Sequence, residues 1–211
     1  TIKLLLKNNY NVFNADLINH PELEVPFTKV DLENFGDAME SVSEIDDRIN
    51  GIDAIIHQAA IPAPGLETNH KTFRMNTLST YNIFQAAKVL KINNIVWASS
   101  ETVLGLPFDT YPPYVPVDEE YYPRPESSYS LSKVMGEEMA RQYCRRNPEM
   151  KIFGLRYSNI MEEKDYKQFQ SFQKDPFLRK WNFWGYIDAR DVAQACLLAM
   201  ESKLKLSLIH I

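Results

Sequence analysis

Short apolar runs separated by helix-like segments constrain this chain more than any other feature. "YNVFNAD" reads as a strand ending at Asp16, and "FTKVDL" as another ending at Asp31. "LENFGDAMESV" has the spacing of a helix, and "GIDAIIHQAA" carries a buried apolar strand over 52–57 that runs into small residues. Thr68 to about Leu90 is helical, with Phe73, Leu78, Tyr81, Ile83, Phe84 and Ala87 as the predicted buried stripe. "NNIVWASS" and "MKIFGLRYS" are further strands. Helices are predicted from near Ser127 to about Arg146, before Pro148, and over "DARDVAQACLLAMES". Strands alternating with helices predict an α/β fold, a doubly wound parallel sheet with helices on both faces.

Two segments interrupt this rhythm. Pro107, Pro112, Pro113, Pro116, Pro123 and Pro125 forbid a long helix over 105–125. Long connections of this kind in compact domains are often functional. Residues 160–185 are polar and aromatic without clear periodicity. The last residues, "LKLSLIHI", alternate like the start of a strand and equally resemble translated adapter sequence, so 203–211 is a tail of uncertain origin with no assigned function.

The bulk properties exclude several classes. A chain of 211 residues with 45% hydrophobic and 24% charged residues suits one globular domain. A net charge of −5 argues against a broad nucleic-acid or anionic-membrane surface. Cys144 and Cys196 lie far apart in helix-like stretches, with neither metal-ligand spacing nor a disulfide framework, so a reducing cytoplasm is expected. No apolar run is long enough to span a bilayer, and no signal peptide is visible. The 7 glycines are scattered, no two close enough to build a phosphate-binding loop.

The chemistry concentrates in "SSYSLSK", where Tyr129 and Lys133 stand four residues apart. Positions i and i+4 share one helix face, roughly 6 Å apart at Cβ. A lysine there favours the phenolate and is expected to lower the tyrosine pKa from about 10, so that it can take a proton from an alcohol. Chance alone supplies about 0.7 such pairs in this composition, so the neighbours must carry the argument. Ser99 and Ser100 end the preceding strand, where ligands bind in open parallel sheets. A serine hydroxyl can both donate to and accept from a substrate oxygen, although a turn cap is the plain alternative. Gln58, Ala59 and Ala60 end another strand, and the small side chains there allow either a flat cofactor at the two alanines or close helix–sheet packing. Asp16 and Asp31 are strand-end carboxylates suited to ribose hydroxyls or to capping a helix.

Taken in order, "NVFNAD", "KVDL", "IIHQAA", "FRMNTLSTYNIFQAA", "VWASSETVLG", "PVDEEYYPRPESSYSLSKVMGEE", "FGLRYSN" and "GYIDARDVAQA" resemble the extended short-chain dehydrogenase/reductase family, the NAD-dependent epimerase/dehydratase group. The resemblance spans residues 1 to about 202 and is closest in layout to uronate-dehydrogenase-like members. It implies a Rossmann-type fold, NAD as cofactor, Tyr129 as general acid/base, Lys133 as partner of the nicotinamide ribose, and Ser100 as holder of the reacting oxygen. It also implies that Asp16, Asp31, Leu32, Gln58, Ala59, Ala60, Asn76 and Tyr157 contact the cofactor, and that Glu101, Thr102 and Asn159 contact the substrate. Asn76 matches the asparagine of the family's N-x-x-G-T pattern, with Ser79 in place of the glycine. Asp191 is expected to cap the last helix. The family's first strand and glycine-rich turn are not matched, and "TIKLLLKNN" corresponds to the helix that follows them. The sheet is therefore expected to be incomplete, with a gap between the strands ending at Asp16 and His57. The chain is read as a piece of a longer enzyme that does not bind NAD by itself.

For the reaction, the resemblance leaves three readings: a dehydrogenase of a sugar, sugar acid or small polyol; a nucleotide-sugar epimerase or dehydratase; and a non-catalytic Rossmann binding protein. The presence of Ser100, Tyr129 and Lys133 disfavours the third. A dehydratase would carry a carboxylate pair after the serine, where only Glu101 is acidic. The 26 residues between Asn159 and Tyr186 are fewer than nucleotide-sugar members use there, which favours a small free sugar. Lys167, Lys174, Arg179 and Lys180 could bind its carboxylate, or could be solvated lysines beside an aromatic patch. A homodimer through helices including the one bearing Tyr129 is a further expectation from the family.

Overall fold

A computed structural model describes residues 1–43, 51–204 and 206–210; of 206–210 the backbone alone is discussed. The elements are α1 (Ile2–Lys7), β1 (Asn14–Asp16), β2 (Phe27–Lys29), α2 (Phe35–Ser41), β3 (Ile55–His57), α3 (Asn69–Leu90), β4 (Asn94–Ala98), α4 (Ser128–Arg146), β5 (Lys151–Arg156), β6 (Ile160–Met161), α5 (Phe169–Lys174), β7 (Ile187–Asp188), α6 (Ala189–Glu201) and β8 (Leu206–His210). All strand pairs are parallel, in three groups: β1–β2, β3–β4–β5–β8 and β6–β7. The parallel α/β architecture is the expected one. The strand expected over 52–57 is shorter, and the alternating tail lies beside β5 as β8.

β4 explains why its sequence is apolar throughout. Successive side chains of a strand point to opposite faces. Ile95 and Trp97 enter one core with Ile83, Phe84 and Ala87 of α3 and Ala140 and Tyr143 of α4. Val96 and Ala98 enter a second core with Leu5 of α1 and Val192, Cys196 and Leu197 of α6. Both faces of the central sheet are covered, as buried parallel sheets require.

Between β1 and β3 the sheet is interrupted by a slot of about 1430 Å³, lined by α1, the ends of β1 and β3, and Ala54 to Ala59. It lies where the gap between Asp16 and His57 was expected.

α4 is placed tightly. Ser127 caps it, its hydroxyl accepting from Ser130 N at 3.0 Å while Ser130 Oγ accepts from Ser127 N. One turn after Lys133, a Cβ on Gly136 would meet the Trp97 ring at 2.4 Å, so a residue without a side chain lets the helix lie against β4. Glu137, with no exposed surface, accepts from Arg156 Nε and Nη2 of β5 and from Ser99 Oγ, each at 2.7 Å.

Two expectations are corrected. In α3, Ile83, Phe84 and Ala87 are buried, but Leu78 and Tyr81 are exposed and Phe73 is half-buried. Asn76, Ser79, Thr80 and Asn82 are buried in their place. The reason is hydrogen bonding: Asn82 Nδ2 donates to Leu32 O and Glu33 O, and Asn76 ties down the loop after β3. The cap of α6 is Asp188, which accepts from Arg190 N at 2.7 Å, whereas Asp191 is exposed in the first turn.

Candidate active site

β4 ends at Ala98, and Ser99 and Ser100 turn out of it into a short 3-10 helix, Glu101–Leu104. Ser100 caps that turn, its Oγ accepting from Thr102 N at 3.2 Å and Thr102 Oγ1 at 3.0 Å. The capping alternative is therefore true of Ser100, and it fixes the hydroxyl at the carboxyl end of the sheet. Tyr129 and Lys133 project from the first turns of α4 to the same place, and both are buried. Lys133 Nζ lies 5.7 Å from the Tyr129 ring centroid and 5.3 Å from that of Trp97, and donates to Ala98 O at 2.8 Å.

The electrostatics differ from the sequence expectation. Tyr129 is held above its ordinary pKa, not below it. Burial is the main cause, opposed by a hydrogen bond with Ser100 and reinforced by the nearby Glu101 charge. Lys133 is itself lowered to about 8 by burial. A desolvated ammonium in a dry site is disfavoured even where it would help a phenolate. His57, buried at the end of β3, is lowered to about 3 by burial first and then by Lys133, so it is neutral. Its Nε2 has no hydrogen-bond partner among the described residues. Burial pushes the Glu101 carboxyl up, against the pull of the Ser158 hydroxyl and the Arg179 charge.

The lowered Lys133 value has a stability consequence. Its folded pKa lies below the unfolded reference of about 10.4. Between about 8 and 10.4 the unfolded chain therefore binds more protons, and stability gains as pH rises through that window. Lys133→Met is expected to stabilise the chain at pH 7 by on the order of 3 kcal/mol, with the gain vanishing near pH 10. Urea unfolding of both proteins at pH 7 and pH 10 checks this; a destabilised variant at pH 7 would refute it.

The predicted cofactor residues divide. Asp16, Leu32, Gln58 and Ala59 line the slot beside β1 and β3, and half-buried Ala60 follows directly. The side chains of three others have hydrogen-bond partners within the chain. Asp31 is exposed and caps a turn, accepting from Glu33 N at 3.0 Å, and α2 itself is capped by Asn34. The Asn76 side chain accepts from Ile61 N and donates to Ile61 O. Tyr157 Oη lies 3.1 Å from Cys196 Sγ and 3.3 Å from Gln58 Nε2, under α6. Asn159 O accepts from Ile187 N, joining the two ends of the 160–186 segment. Of its cations, Lys167, Lys174 and Lys180 are exposed, whereas Arg179 is buried and donates to Gly185 O and Asn182 Oδ1. His57 and Ser158, absent from the sequence expectations, stand beside residues that the motifs marked, in "IIHQAA" and "LRYSN".

The profile of the NAD dependent epimerase/dehydratase family matches residues 1–206. This chain belongs to that family. Among curated relatives of the epimerase/dehydratase chain, a bifunctional UDP-glucose 4-epimerase and UDP-xylose 4-epimerase of Pisum sativum is 28% identical over 75% of this chain and 48% of its own length. An L-arabinose 1-dehydrogenase (NAD(P)(+)) of Haloferax volcanii is 32% identical over 50% of this chain and 44% of its own. The chain spans about half the length of the curated relatives it matches first. A Thermus thermophilus UDP-glucose 4-epimerase solved with NAD shares the fold at a TM-score of 0.76 and 22% identity, over all of this chain and 72% of that one. A mutated uronate dehydrogenase does so at 0.73 and 20%, over 99% of this chain and 68% of that one.

The family's cofactor is NAD. The slot beside β1 and β3 offers polar and small groups of the kind a dinucleotide needs. Asp16, Leu32 and His57 line it, and His57 Nε2 has no hydrogen-bond partner among the described residues. Among the described residues, no helix is long and apolar enough to cross a membrane and no side-chain cluster could hold a metal ion.

Proposed function

We propose that the intact protein oxidises a free sugar or similar small polyol with NAD. The observation that carries this is the compact 160–186 segment. The pairing of β6 with β7 ties its ends together, and Tyr166, Phe169, Phe172 and Tyr186 pack against one another within it. Such a short, self-packed segment suits a small substrate better than a nucleotide diphosphate. The epimerase names of most relatives favour the second reading, interconversion of a UDP-sugar.

Asp16, Leu32, Gln58, Ala59 and Lys133 are the residues that would hold the dinucleotide. Bound NAD supplies the hydride acceptor. Ser100 and Tyr129 hydrogen-bond the substrate hydroxyl, and the phenolate form of Tyr129 takes its proton at Oη. Lys133, held to Ala98 O, keeps a positive charge beside the phenol at neutral pH. The buried setting of Tyr129 keeps water from competing for that proton.

The test is NADH release by the protein expressed from its full reading frame. Release with free aldoses or sugar acids supports oxidation. Interconversion of UDP-sugars without net NADH replaces it with the epimerase reading.

A further inference from the structure

Glu101 follows the reacting serine directly, and the proton transfer does not use it. Its backbone N–H donates to Tyr157 O at 2.9 Å, which fixes it between the ends of β4 and β5. The side chain is half-buried, and a Cβ on Gly185 would stand 3.9 Å from its Oε2 and 3.1 Å from the Ser158 hydroxyl. Its charge reaches Tyr129. A carboxylate acceptor thus stands directly after the reacting serine, at the carboxyl ends of β4 and β5.

Three cations of the site region, Arg179, Lys133 and Lys180, are engaged with groups of the chain itself. Arg179 is 5% exposed, and its three nitrogens are taken by Asn182 Oδ1, Met161 Sδ and Gly185 O. Lys133 Nζ is given to Ala98 O. Lys180 lies over the Phe177 ring in solvent.

We infer that Glu101 determines substrate class: it accepts a hydrogen bond from a hydroxyl next to the oxidised carbon, so the site takes neutral sugars and turns away sugar acids. A carboxylate acceptor forms a strong charge-assisted bond with a hydroxyl donor. A substrate carboxylate in the same position meets a like charge instead, which solvent screens only in part around a half-buried side chain. The inference rests on the sugar-oxidation reading above and sets aside the sugar-acid substrate that the lysines and Arg179 suggested.

The test compares NADH formation from D-galactose with D-galacturonate, and from D-glucose with D-glucuronate, in the full-reading-frame protein. The aldose of a pair is expected to have a kcat/KM at least tenfold above its uronate. Glu101→Gln is expected to bring that ratio below threefold by lowering the KM for the uronate. Glu101→Asp, which keeps the charge, should retain the preference. A wild-type preference for the uronate, or an unchanged ratio in Glu101→Gln, overturns the inference while leaving sugar oxidation standing. Interconversion of UDP-sugars with no NADH from either pair overturns the oxidation reading, and the inference with it.

Discussion

Tyr129→Phe is expected to lower turnover of the intact protein by about 10²–10⁴-fold while NAD binding persists, the range typical for loss of a positioned acid or base. No neighbour can replace the phenol. The Ser100 hydroxyl is a poor base and is already engaged with Thr102. Lys133 is mostly protonated at pH 7, with its amine on Ala98 O. His57 is neutral, but it belongs to the floor of the site at the end of β3. Phenylalanine keeps the ring that lies near Lys133, so the surroundings of the cofactor end should be little changed. The raised pKa of Tyr129 adds a pH signature. Oxidation needs Tyr129 as the phenolate, the form that can accept a proton, so the rate should climb with pH toward the tyrosine value and lose that limb in the variant. Steady-state kinetics across pH, with calorimetric titration of NAD, measures both effects. Near-normal turnover would remove Tyr129 from the mechanism.

Replacing Glu137 with alanine should be the most damaging single change to the fold discussed here. Its carboxylate meets Arg156 at two nitrogens and Ser99 at a third contact, with no surface of its own exposed. Taking one partner from a buried ion pair costs about 3–5 kcal/mol, because the other charge keeps its desolvation penalty. For a chain of this size each kcal/mol shifts the melting temperature by about 2–4 °C. A fall of roughly 6–20 °C is therefore expected. Changing Glu137 and Arg156 together to methionine should recover much of it, since well-packed apolar replacements of buried pairs are often neutral. Thermal unfolding followed by circular dichroism decides; a loss under 1 kcal/mol for Glu137→Ala would show that the pair contributes little.

That network also shows how the site depends on the fold. Glu137 stands one turn beyond Lys133 and two beyond Tyr129, so the contact that ties α4 to β4 and β5 also sets the rotation of the helix face they share. Gly136 contributes by letting the same helix approach Trp97.

Much was legible in the sequence because it depends on local rules. Strand and helix positions followed from side-chain period, and the loop over 105–125 from prolines that cannot continue a helix. The shared face of Tyr129 and Lys133 followed from helical spacing alone. Tertiary packing decided the rest. α3 buries asparagines and threonines where apolar spacing pointed to Leu78 and Tyr81, because distant loops need their hydrogen bonds. Asn76, Tyr157 and Asp31 matched motif positions, yet their side chains have partners that lie elsewhere in the fold or in a local turn. The direction of the Tyr129 shift could not be read from a lysine four residues away, because it is set by how much water the whole fold removes from both groups. Local pattern thus determined which side chains share a face. Burial, which sums contributions from every part of the chain, decided what charge those side chains can carry.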